Sequence, residues 1–62
     1  MGELMELAKR LSAAQRRAFV LRDVLGFSTK ESASMTGSTE VAIRVHLHYA
    51  RRRLREFLQE VA

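Results

Sequence analysis

Apolar residues recur along this chain at helical spacings, and nowhere do they alternate as in a half-buried strand. Leu4, Leu7, Ala8 and Leu11 share one face of a first segment, roughly Glu3 to Arg10. Ala14, Ala18, Leu21 and Leu25 make the stripe of a second, from Ala13 to about Leu25, and Phe19, Val20 and Val24 widen it. A short third segment, Thr29 to about Thr36, buries Ala33 together with Ser32 or Thr36. The longest pattern starts near Glu40 and runs to Glu60. Its stripe is Ile43, Leu47, Ala50, Leu54, Leu58 and Val61, at spacings of 4, 3, 4, 4 and 3.

The punctuation between these stretches agrees with the periodicity. Ser12 with Gln15, and Ser28 with Glu31, have the spacing of a capping box, in which each end of the motif satisfies a backbone N–H of the other. Gly26 and Gly37 each follow a helical stretch, where a left-handed residue commonly ends a helix. Ser38 or Thr39 can cap the last segment. The expectation is an all-α fold, a single small four-helix domain over residues 1–62 with helices at about 3–10, 13–25, 29–36 and 40–60. The third helix, the Gly37 turn and the fourth helix make a helix-turn-helix. In units of that kind the second helix enters the major groove of DNA. An ordinary helical hairpin satisfies the same spacing.

Composition narrows the function. A chain of 62 residues buries only roughly 60% of its unfolded surface, which leaves little room for an enclosed active site. No Cys is present, so no disulfide forms, in keeping with a reducing, cytoplasmic setting. No run is long and apolar enough to span a bilayer, and Glu3 and Glu6 interrupt any secretory signal. The net charge of +4 and the isoelectric point near 10.7 invite a polyanion partner. Val41 to Arg55 carries five Arg and two His without one carboxylate, which places the excess on one helix.

At about 100° per residue, the side of that helix opposite the stripe carries Ala42, Val45, Tyr49, Arg52 and Glu56. Val41, His46, His48 and Arg53 flank it, and Arg44, Arg51 and Arg55 lie nearer the core boundary, where long side chains lean outward. Arginine pairs with phosphate in a fixed fork, so such a face binds nucleic acid in a salt-dependent way. At the tip, Glu40 can accept from cytosine, and Val41, Ala42 and Val45 can touch thymine methyls. A protein-contact surface explains Val41, Val45 and Tyr49 equally well.

Other chemistry is not expected. His46 and His48 are two apart and diverge by roughly 200° on a helix, so they do not form an i, i+4 metal pair. No metal or cofactor is expected. Asp23 reads as a helix-surface carboxylate near Arg22 or Lys30 rather than part of a catalytic triad, and no Gly-rich phosphate loop is present. The chain does not read as an enzyme.

Three fragments together resemble region 4 of bacterial extracytoplasmic-function sigma factors. Leu11-Ser12-Ala13-Ala14-Gln15-Arg16-Arg17-Ala18-Phe19-Val20-Leu21-Arg22 resembles the opening of that region, and Gly26-Phe27-Ser28-Thr29-Lys30-Glu31-Ser32-Ala33 its next motif. The stretch from Val41 to Arg55 is similar to its recognition helix, and the match runs without a gap from about Leu11 to Leu58. The resemblance implies a domain that binds the promoter minus-35 element, docks on the flap of the RNA polymerase β subunit and is often occluded by an anti-sigma factor. Carried over by position, Arg44, Val45, His46, His48 and Tyr49 face the groove, Arg51 and Arg52 contact phosphate, and Thr39 caps the helix beside N–H groups that can meet phosphate. Val45 stands where the family usually has Ser, and His46 and Tyr49 where it has Arg. Val41 replaces a frequent Gly, and Ser38 a frequent aliphatic. Three of these departures lie on the reading face, so a copy specialised toward a protein partner, with little DNA binding, is the alternative. A full sigma factor also needs a promoter-melting domain, so the resemblance implies that this chain is a C-terminal domain of a longer protein.

Overall fold

A computed structural model describes residues 6–61 of the chain. Among them are four helical segments and no strand. Helix α1 is described over residues 6–8. Helix α2 spans Ala13–Phe19 and continues directly into a π-helical segment, Val20–Val24. Helix α3 is Thr29–Thr36 and α4 is Glu40–Val61. The expected helix start at Glu3, Leu4 on its apolar face and the side chain of Val61 lie outside the described residues.

Local chemistry sets most of the boundaries. The chain leaves α1 through tight turns, with the Arg10 and Leu11 N–H groups donating to the Leu7 and Ala8 carbonyls at 3.0 and 3.1 Å. Both capping boxes form. Ser12 Oγ accepts from the Gln15 N–H at 3.2 Å, and Ser28 Oγ from the Glu31 N–H at 3.0 Å. In return the Ser28 N–H donates to Glu31 Oε1 at 2.9 Å, and the hydrogen bonds to Ser28 hold the Glu31 carboxyl below its ordinary range. Helix α3 ends at Gly37, whose φ of 66° lies in the left-handed region. There the Ser38 N–H returns to the Ala33 carbonyl at 2.9 Å and the Gly37 N–H to that of Ser34 at 3.4 Å, the paired bonds of a Schellman ending. Thr39 Oγ1 then accepts from the Ala42 N–H at 3.0 Å and caps α4.

Helix α4 is the spine. Its 22 residues give a length of about 33 Å, close to the 35 Å long axis of the molecule. Helices α2 and α3 pack against it. The core joins Leu7, Ala8 and Leu11 to Ala18, Phe19, Ala33, Ile43, Leu47, Ala50, Leu54 and Phe57. Ala8, Ala18 and Ala50 are wholly buried, and small residues at these points let helix backbones approach closely. Ser32 is buried among them, and its hydroxyl has no hydrogen-bond partner among the described residues.

Two apolar patterns differ from the expected stripes. In the second helix Ala18 and Phe19 are buried, Leu21 is half-buried, and Ala14 and Leu25 are exposed. The change at Leu25 follows from the π segment, marked by the Leu25 N–H donating to the Val20 carbonyl, five residues back, at 2.8 Å. A wider turn brings residue i+5 rather than i+4 beneath residue i. Val24 thus comes beneath Phe19 and packs on the core, while Leu25 rotates into solvent. At the far end of α4, Phe57 is buried and Leu58 is exposed. The Arg10 and Arg53 guanidinium groups lie over the Phe57 ring, 5.4 and 5.3 Å from its centre.

Candidate nucleic-acid interface

The buried stripe of α4 fixes which side chains point outward. Val41, Val45 and Tyr49 form an exposed apolar row on the outer side, at 64%, 46% and 47% exposure. The His48 ring meets the Tyr49 ring edge-on, 5.3 Å between centres at 75°. Beside this row, α4 and the helices before it enclose an open cleft of about 550 Å³. Five arginines line it, Arg22, Arg44, Arg51, Arg52 and Arg55, together with Thr29, His48 and Leu47. Among the described residues no carboxylate belongs to that lining.

The residues singled out in the sequence fall into distinct settings. Arg44, His48, Arg51 and Arg52 come together in the cleft. Arg44 Nη2 lies 3.5 Å from Glu40 Oε1, and Arg52 Nε lies 3.6 Å from Glu56 Oε1. Both pairs are solvent-exposed and worth little, so both arginines can exchange these partners for phosphate. Arg51 differs: Nε and Nη2 donate to both carboxylate oxygens of Asp23. That contact holds the Asp23 carboxyl below its ordinary value against the opposing effect of partial burial, and the nearby Arg22 adds to the lowering. It also raises the Arg51 pKa. Asp23 is therefore the brace of Arg51, with Arg22 close by as the sequence suggests.

His46 is not in the cleft. It is half-buried on the other flank of α4, in a crevice with Ala14, Arg17, Thr36 and Ser38. Ala42 is half-buried, and Glu40 stands exposed in the first turn of α4 beside the Thr39 cap. Arg53 turns away to cover Phe57.

Arg22 and Thr29 were not among the sequence candidates. Thr29 opens α3 and reaches the cleft because the Gly37 turn lays α3 against α4. Arg22 lies in the π segment, where Nη1 donates to the Phe27 carbonyl at 2.8 Å and Nε is buried without a partner among the described residues. No local signal marks either position. Both depend on how the wide turn and the helix-turn-helix fold back on α4.

Such a surface can bind a polyanion along the cleft and present side chains from the adjoining row to whatever that polyanion encloses. Among the described residues no group of three or more His, Cys, Asp or Glu side chains stands together to hold a metal. No described helix is long and apolar enough to cross a membrane.

Comparison with known proteins agrees with this geometry. The family model described as sigma-70, region 4 matches residues 1–54. The chain is similar to the extracytoplasmic-function RNA polymerase sigma factor SigD of Mycobacterium bovis, with 45% identity over 56 residues, 90% of this chain and 25% of that relative. The sigma factor SigD of Mycobacterium tuberculosis strain H37Rv matches with the same identity and coverage. The chain thus spans a quarter of the length of the curated relatives it matches. By the family match over most of its length, with a helix-turn-helix in the matched segment, the chain belongs to the sigma-70 region 4 family.

Proposed function

We propose that this chain binds promoter DNA at the minus-35 element, as the DNA-reading part of a longer sigma factor acting on RNA polymerase in the cytoplasm. The observation that carries the reading is the open cleft lined by five arginines beside the outward face of α4. In a helix-turn-helix the start of the second helix enters the major groove. With α4 so placed, Arg44, His48 and Arg52 meet phosphates on one side, with Arg22, Thr29 and Arg55 behind them. Thr39 and the first-turn N–H groups of α4 meet phosphate at the helix tip. Glu40, Ala42, Val45 and Tyr49 face base edges, and His46 approaches from the opposite flank. Arg51 acts first as a brace, and its remaining amino group, Nη1, is the part left for phosphate.

As part of that sigma factor the chain docks on the flap of the polymerase β subunit, and an anti-sigma factor regulates it by covering the same surface. No catalytic role belongs to this reading. The test is a titration of duplex DNA carrying a minus-35 element against a scrambled duplex, from about 50 to 200 mM salt. Binding that prefers the element and falls steeply with salt supports the reading. The second reading, a sigma-like domain given over to protein contacts, draws on the exposure of Val41, Val45 and Tyr49. Tight binding to an anti-sigma partner with no DNA affinity at low salt would put it first.

A further inference from the structure

We infer that Val41 and Val45 read thymine, meeting 5-methyl groups in the major groove, so that methyl contacts rather than hydrogen bonds set the base preference at this end of α4. The inference deepens the DNA-binding reading and rests on it.

Three observations carry it. First, both valines are exposed, at 64% and 46%, and touch no core of their own. They lie one turn apart on the outer side of α4, with Tyr49 one turn further on. From Val41 to Tyr49 the row measures about 12 Å along the helix. Second, the row begins one residue inside α4, just after the Thr39 cap. That is the part of a recognition helix that reaches base edges. Third, valine has no donor and no acceptor. The polar edges of guanine, adenine and cytosine offer it nothing, whereas the thymine methyl is the apolar group that the major groove presents.

The charges beside the row favour DNA over an apolar protein surface. Arg44 and His48 line the adjoining cleft, and Arg52 follows the row on the same side of α4. An apolar partner covering a strip one side chain wide would desolvate these cations without pairing them. A duplex places phosphates beside them while its groove receives the valines.

The experiment uses the 62-residue chain. Duplexes that it retains are selected from a random pool at low salt. In the enriched sequence each thymine is then replaced by deoxyuridine, which removes only the 5-methyl group, and affinity is measured at fixed salt by fluorescence anisotropy. The expected result is a loss of about fourfold at one or two thymines, the worth of one buried carbon. The ratio of thymine to deoxyuridine affinity, compared within each variant, should shrink at the contacted thymine in Val41→Ala or Val45→Ala. An enriched sequence with no deoxyuridine effect overturns the inference and leaves the DNA-binding reading standing. A deoxyuridine effect undiminished at every thymine in both alanine variants also overturns it. If no sequence is enriched, the DNA-binding reading falls and the methyl contact with it, and the row is then a protein-facing surface.

Discussion

Arg51 grips Asp23 with both edges of a fork, Nε to Oδ2 at 2.8 Å and Nη2 to Oδ1 at 2.6 Å, across 28 positions of sequence. The pair ties the π segment to the middle of α4, so one of the arginines lining the basic cleft is also a tertiary brace. Replacing Asp23 by Asn keeps the shape and removes the charge. Asp23→Asn should lower stability by about 1 kcal/mol, a figure kept small because the Arg51 side chain is half exposed and solvent screens the pair. Thermal unfolding followed by circular dichroism near neutral pH checks this.

The same pair carries a pH signature. The folded-state pKa of Asp23 is lowered, chiefly by the hydrogen bonds from Arg51. A carboxylate lowered in the folded state stabilises it above its unfolded value, about 3.9, and that contribution is lost as pH falls through the folded value. Wild type should therefore exceed Asp23→Asn in melting temperature at about pH 6, and the gap should close as pH falls below about 4. A constant gap down to about pH 2 would mean that the carboxylate charge is not what the brace uses.

Ser32 makes the opposite kind of prediction. Its hydroxyl is buried between α3 and the rest of the core with no partner among the described residues. An unpaired buried hydroxyl costs about 1 kcal/mol or more, and alanine is the better helix former. Ser32→Ala should raise stability by about 0.5 to 1 kcal/mol. A loss measured in urea unfolding would show that the hydroxyl is satisfied in solution.

How much of this was legible in the sequence depends on how local each cause is. The capping boxes at Ser12 and Ser28 and the turn at Gly37 are settled within four or five residues, and they could be read directly. The first four positions of the α4 stripe also follow from spacing alone. Phe57 and Leu58 are neighbours that a helical period treats almost alike. Arg10, brought from the other end of the chain, covers Phe57 and helps decide between them. The π segment was hidden for a similar reason, since nothing in Val20–Val24 marks a wider turn. Its consequences reach the site: Arg22 comes to the cleft wall, Asp23 takes Arg51, and a run of arginines that looks uniform divides by task. Arg44 and Arg52 are held only by exposed neighbours, Arg51 is braced, and Arg53 is spent on Phe57.

That division is testable on DNA. Arg44→Ala and Arg52→Ala should each weaken duplex binding about equally across sequences and reduce the salt slope by about one. Arg53→Ala should leave the slope unchanged and instead lower stability by about 0.5 to 1 kcal/mol through lost cover over Phe57. Anisotropy titrations at several salt concentrations, paired with thermal melts, separate the two effects.

The central claim is that the outer face of the first half of α4, with the arginine cleft beside it, is the DNA interface. Amide chemical-shift mapping of the isotope-labelled chain, titrated with minus-35 duplex, tests it most directly. The account predicts the largest shifts over Thr39 to Arg52 and at Thr29, with little change around Arg16, Val20 and Met35 on the far side. Shifts centred on Val20 and Met35, or none at saturating duplex, would contradict it.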